Sequence, residues 1–185
     1  MSDQISLSEL FGFDKPNPTS NPTSNPTSKF ETLSVARDWL QDNLNDGVRC
    51  PCCDKFARRY RRKFNATMSR SLIWLVREWQ ASGETWVDVP KIAPRTIVRS
   101  NQLPTIRWWG MAERPVNTDN PDLKHSGLWR PTEKGVSFAL RQIKVPSTAI
   151  TYDGNVESLE GDLVSIEDSL GVKFCYADLM SGANL

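Results

Sequence analysis

A chain of 185 residues, 38% of them hydrophobic, can bury one good core and carry appendages. Its 23 Lys and Arg stand against 22 Asp and Glu, so bulk charge selects no class of partner. No apolar run approaches the roughly 20 residues that cross a bilayer, which argues against a spanning protein.

The four cysteines, three of them packed into Cys50-Pro51-Cys52-Cys53, do not read as a disulfide framework. The first residues form neither a basic n-region nor an apolar h-region, so no secretory leader is expected. Both features suit a reducing, cytoplasmic compartment. Charge is unevenly spread. Residues 50–77 hold eight Lys and Arg against Asp54, a net +7; residues 150–185 hold seven acids against Lys173, a net −6; residues 1–49 hold seven acids against four bases, a net −3. A basic middle between acidic ends can face a polyanion, or the acidic tail can fold onto the basic segment.

In chain order, a small apolar patch (Leu7, Leu10, Phe11, Phe13) precedes three Asn-Pro-Thr-Ser repeats over residues 17–28. A proline every fourth residue forbids a helix and starves a sheet of donors. The segment is expected as a disordered tail or tether with a reach of about 35 Å. Ser34 can cap a helix over 35–44 with Val35, Trp39 and Leu40 on one face. The cysteine knuckle follows. Tyr60, Phe64, Met68, Leu72, Leu75 and Trp79 recur at three- and four-residue steps, which predicts a long amphipathic helix over 65–81 stopped by Gly83. Residues 85–89 alternate as a strand, 91–100 read as a helix with Pro94 in its first turn, and Ser100 or Asn101 can cap the next helix, which closes at Gly110.

Residues 103–140 then read as that helix end, a strand, a polar tongue, a second strand, and a helix opened at Glu133-Lys134-Gly135. Asp153-Gly154 between apolar runs is a two-residue hairpin signal. Ser165 can cap a short helix, where Glu167 and Asp168 would complement the dipole, and Phe174-Cys175-Tyr176 is expected as a last strand.

From the long helix onward, over about residues 64–143, this order resembles a winged helix-turn-helix domain. The expected fold class is therefore α+β, mostly helical, with a winged-helix core and a small C-terminal hairpin appendix. The domains would be a tail at 1–33, a helix and knuckle with the basic run at 34–63, the winged helix at 64–145 and an acidic appendix at 146–185. The arrangement also resembles uncharacterised bacteriophage proteins that share Cys50-Pro51-Cys52-Cys53, Arg107-Trp108-Trp109-Gly110 and Trp129-Arg130-Pro131-Thr132-Glu133-Lys134-Gly135. That second resemblance implies no activity.

The winged-helix resemblance implies DNA binding, with the helix before the wing in the major groove. By position that helix is 100–109. Ser100, Asn101, Gln102, Thr105 and Arg107 are its outward polar residues. Arg95 and Arg99 suit phosphates, and Lys124, His125 and Arg130 belong to the wing, where Asp119 and Asp122 would oppose phosphate. The run Lys55 to Lys63 places Arg58, Arg59, Arg61, Arg62 and Lys63 around Phe56 and Tyr60, a pattern that suits phosphate contact and stacking. A solvated face or an ion-pair surface with the acidic tail explains the same residues.

Cys50 and Cys53 have the spacing of two zinc ligands, with Cys52, Cys175 and His125 as the remaining donors. A redox pair or a plain thiol turn fits the same residues. A following helix and the arginines would lower the thiol pKa. The tryptophans read as core, with one of Trp108 and Trp109 part-exposed. One histidine, no phosphate loop and no nucleophile elbow argue against an enzyme. The expectation is a cytoplasmic, phage-encoded DNA-binding protein acting in transcription or replication, with zinc and a homodimer as candidate additions. Its rival is an interaction module that docks on or inhibits a host protein.

Overall fold

The computed structural model describes residues 32–115 and 127–182. The N-terminal patch and repeats, and the tongue with Asp119, Asp122, Lys124 and His125, lie outside the described residues. The chain divides into two compact units, one of residues 1–44 and 48–57, the other of 45–47 and 58–185. Among the described residues no helix is long and apolar enough to cross a membrane.

The first unit holds α1 (Leu33–Asn43) and a hairpin of β1 (Val48–Arg49) and β2 (Phe56–Ala57). The cap of α1 is Thr32, not Ser34. Thr32 is extended and its hydroxyl accepts from the Val35 amide, so the helix begins earlier and Ser34 lies inside it. The hairpin is antiparallel, with Val48 opposite Ala57 and Arg49 opposite Phe56.

The second unit opens with β3 (Tyr60–Lys63) and then α2 (Ala66–Ala81). The Asn65 side chain accepts from the amides of Thr67 and Met68, which fixes the start of α2 and releases Tyr60 from the periodic set. Met68, Leu72, Ile73, Trp74, Leu75 and Val76 of this helix are buried in the main core. Ser69 is also buried, and its hydroxyl meets that of Ser169 at 2.6 Å.

Next come β4 (Val87–Asp88), α3 (Val89–Ile92) and α4 (Arg95–Ser100). The expected single helix over 91–100 is two helices. Pro94 disfavours helical geometry at the residue before it, and Ala93 is extended at φ −71° and ψ 140°. Asn101 sits at φ 46° and terminates α4, so α5 (Leu103–Ile106) is also a separate piece, with Pro104 in its first turn. A 3-10 turn over Arg107–Trp109 closes at Gly110, φ 70°, whose amide donates to the Arg107 carbonyl. Then follow β5 (Ala112–Glu113), β6 (Leu128–Pro131) and α6 (Glu133–Ala139), capped by Thr132.

The chain ends with β7 (Val145–Tyr152), β8 (Asn155–Val164), α7 (Ile166–Leu170) and α8 (Tyr176–Ser181). Asp153 and Gly154 at φ 47° and 75° make the β7–β8 turn. Ser165 and Asp168 form a reciprocal capping box on α7. The strand expected at 174–176 is absent: Cys175 is the N-cap of α8, and Tyr176 is helical, its hydroxyl donating to the Ala139 carbonyl at 2.8 Å.

Two three-stranded antiparallel sheets result, ordered β4-β6-β5 and β3-β7-β8. Val87 faces Trp129, and Ala112 faces Pro131. The second unit is thus a mixed assembly of helices and sheets. Residues 146–182 share its core: Ala149, Ile166, Leu170 and Leu179 pack in one cluster with α2, Trp109 and Phe138. Trp109 is 1% exposed and donates from Nε1 to the Pro146 carbonyl at 2.7 Å. Trp108 stays half-buried and donates to the Gly154 carbonyl.

Candidate nucleic-acid interface and cysteine knuckle

The basic run is strand and loop where a helix face was one expectation. Tyr60, Arg61, Arg62 and Lys63 pair with Thr151, Ile150, Ala149 and Thr148. The register sets Arg61, Ile150 and Ser158 in one row and Lys63, Thr148 and Glu160 in the next, all on one face of the sheet. Arg59 Nε donates to Glu157 at 2.6 Å, and Arg61 donates to Glu160 at 3.2 Å. Asn45 Oδ1 also accepts from Arg59, and the Ser158 hydroxyl donates to Glu160.

These side chains frame an open groove of about 890 Å³ over Ile150, with Arg58, Arg59 and Arg61 on one side and Glu157 and Glu160 on the other. The acidic tail therefore folds onto the basic run and neutralises part of it. Arg58, Arg62 and Lys63 are exposed and make no ion pair with a described residue. Arg62 lies over the Tyr60 ring at 5.2 Å, so that ring is partly occupied as a stacking surface.

The residues expected on one recognition helix are distributed over three pieces. Arg95 and Arg99 are exposed one turn apart on α4, beside exposed Val98. Ser100 is half-buried, and its hydroxyl donates to the Ile97 carbonyl. Asn101 is exposed but left-handed, and its amide closes α4. Gln102 and Thr105 are half-buried, and the Gln102 amide turns back onto the Ser100 carbonyl. Arg107 is exposed on the 3-10 turn. The break follows from chemistry: Pro104 brings no amide donor, and Asn101 adopts the left-handed region that Asn tolerates.

On β6, Arg130 donates to Glu113 at 2.6 Å and lies 4.4 Å over the Trp86 ring. Arg114 was not among the expected residues. It lies 4.2 Å over Trp129, and burial first, then the charge of Arg107, lowers its pKa. Arg114 follows Glu113, which faces Arg130, so continuing the register sets it opposite Trp129, and only the pairing of β5 with β6 reveals this.

In the first unit the knuckle is the turn of the β1–β2 hairpin. The Cys50 amide donates to the Lys55 carbonyl at 2.8 Å, and the Asp54 amide returns to the Cys50 carbonyl at 2.9 Å. Asp54 is left-handed at φ 58° and receives Arg49 on its carbonyl and carboxylate. The Cys50 thiol is held below its ordinary range, first by the Cys52 amide, and further by the Cys53 amide and the adjacent thiols, with burial opposing. Partial desolvation, then the charge on Cys50, pushes the Cys52 thiol up. The lowering thus comes from turn amides; a strand, not a helix, follows the knuckle. All four cysteines are free, and Cys175 belongs to the second unit.

Among the described residues no group of three or more His, Cys, Asp or Glu is arranged to hold a metal. No family model, no curated protein and no solved structure matches this chain.

Proposed function

We propose that this protein binds duplex DNA through a winged helix-turn-helix formed by α2 to β6. The observation that carries the reading is topological. The first short strand, β4, enters the sheet beside the last, β6, with β5 on the far side, and four short helical segments, α3, α4, α5 and the 3-10 turn, stand between β4 and β5 in sequence. In this reading the connection from β5 to β6 is the wing. The exposed pair Arg95 and Arg99 supports phosphate or guanine contacts from α4, with Asn101 and Arg107 beyond it. Gln102 and Thr105 are poorer candidates because they are half-buried. In this reading the protein is phage-encoded and acts on transcription or replication in the host cytoplasm, without catalysis of its own.

A second reading is favoured by a specific observation. Arg59, Arg61 and Arg130 already have carboxylate partners, while Ile92 and Val98 expose about half their area on the helices expected to face DNA. An apolar surface of that kind suits a protein partner. Retention of the full chain on duplex DNA across a salt series separates the readings. About six phosphate contacts give a log-log slope near −5. No retention on duplex or single strand at low salt rejects DNA binding and leaves the docking reading.

A further inference from the structure

Two cations from other elements join the basic side of α4. Arg70 of α2 donates from Nη2 to the Thr96 hydroxyl at 3.0 Å. Thr96 stands three residues before Arg99, and Arg95 four, so the three share the exposed side of α4, away from buried Ile97. The bond from Arg70 therefore brings a third guanidinium to that side. The same guanidinium carbon lies 5.2 Å from the Phe174 ring centroid, and Lys173 Nζ lies 5.5 Å from it. Lys173 and Phe174 belong to the link between α7 and α8, where Gly171 at φ 56° ends α7 and turns the chain.

No carboxylate answers these charges. Among the described residues, Arg70, Arg95, Arg99 and Lys173 make no ion pair, whereas Glu157, Glu160 and Glu167 of the same C-terminal region hold Arg59, Arg61 and Arg141. Like charges one helical turn apart, such as Arg95 and Arg99, repel. Arg70 is moreover half-buried, and its Nε is out of contact with water without a hydrogen-bond partner. A buried donor left over beside like charges is a group that an anion satisfies. A guanidinium lying over a ring also keeps its planar N–H edge for a second contact, the edge that matches a phosphate.

We propose that Arg70 and Lys173, both held against the Phe174 ring, form a phosphate clamp that carries the DNA backbone past α4. The clamp rests on the DNA-binding reading of α4 and adds a contact from the α7–α8 link, a segment outside the winged-helix order. Both cations lie within 5.5 Å of one centroid, a span that adjacent phosphates of one strand can bridge. The ring holds the two side chains in place before binding, so less conformational freedom is lost when the phosphates arrive. Phosphate contacts position the protein and carry no sequence information. The clamp therefore strengthens binding to every duplex alike.

The test is fluorescence anisotropy of the full-length chain with a labelled duplex over a salt series. The variants are Lys173→Gln, Arg70→Gln, the two together, and Lys134→Gln as a control at an exposed lysine at the start of α6. Each clamp variant should take about 0.9 from the magnitude of the log-log slope and the pair about 1.8, which near 0.1 M salt is at most about eight-fold and about sixty-fold weaker binding. Lys134→Gln should leave the slope unchanged. Arg70 is half-buried and its variants can lose the fold; Lys173 is exposed, so Lys173→Gln that melts with the wild type decides by itself. An unchanged slope in Lys173→Gln, while the wild type binds, overturns the clamp and leaves the DNA reading standing. An equal loss in Lys134→Gln marks an effect of bulk charge and overturns the clamp as well. No retention of the wild type at low salt rejects the DNA reading and the clamp with it.

Discussion

Replacing Glu157 and Glu160 together by Gln asks whether the acidic strand masks a polyanion surface. The two carboxylates hold Arg59 at 2.6 Å and Arg61 at 3.2 Å, and all four side chains keep a quarter or more of their surface in water. Such pairs are worth about 0–1 kcal/mol each, and Gln retains the shape and an acceptor oxygen, so the fold should survive with little change in Tm. Electrostatics changes more. Two arginines are released beside Arg58 and Lys63, on a face that then loses two negative charges. If each freed guanidinium takes one phosphate, the log-log salt slope steepens by about 1.8, and counterion release sets an upper bound of about sixty-fold tighter binding near 0.1 M salt. The gain should shrink toward nothing as salt approaches 1 M. Fluorescence anisotropy with a labelled duplex over a salt series measures both quantities. An unchanged slope in a variant that melts with the wild type would show that the β3 face does not meet nucleic acid.

Other expectations follow from single contacts. Arg95→Ala with Arg99→Ala should weaken duplex binding by about 1–3 kcal/mol, with Gln102→Ala nearly silent because its amide is bound to the Ser100 carbonyl; equal losses in the same anisotropy assay would reject the assignment to α4. Gly135→Ala should unfold the protein more readily than Gly110→Val, against the usual ranking of side-chain size. A Cβ at Gly135 would lie 2.0 Å from the Met111 carbonyl oxygen, whereas at Gly110 it meets nothing within 4 Å and only the left-handed backbone resists, at about 1–2 kcal/mol. Thermal melts of the two variants give the order. The amide and hydroxyl of Ser165 hold the Asp168 carboxyl below its usual range. Its folded value is thus below its unfolded value, and the stability it adds is complete above about pH 4 and lost as pH falls through the folded value. Asp168→Asn should flatten the loss of stability as pH falls below about 4, and an acid melt parallel to the wild type would refute this.

What the sequence made legible was local. The apolar spacing of α2, the Asp153-Gly154 turn, the Ser165 cap and the left-handed Gly110 each depend on residues within a turn of one another. The break at Pro94 is equally local: the constraint on the residue before proline outweighs the continuous helical pattern over 91–100. The basic run could not be read in the same way. Tyr60 to Lys63 has no apolar alternation, and it is a strand only because β7, almost ninety residues on, offers Thr148 to Thr151 as partners. The same distance hid the fate of its charges.

A net +7 segment and a net −6 segment describe two potentials along a chain, and β7 brings them together as flanking strands of one sheet. What a polyanion would meet there is then decided by the cations left outside the pairs, Arg58, Arg62 and Lys63, and by how readily Glu157 and Glu160 yield the other two. A carboxylate facing water gives up an arginine at little cost, since the exchange of one exposed anion for another changes solvation hardly at all. The paired arginines are therefore a reserve of positive charge more than a fixed part of the fold. The same logic separates Arg130, whose pair with Glu113 is reinforced by the Trp86 face beneath it. Releasing that guanidinium costs a cation–π contact as well as an ion pair, which makes Arg130 the expected wing residue least free to leave its own domain.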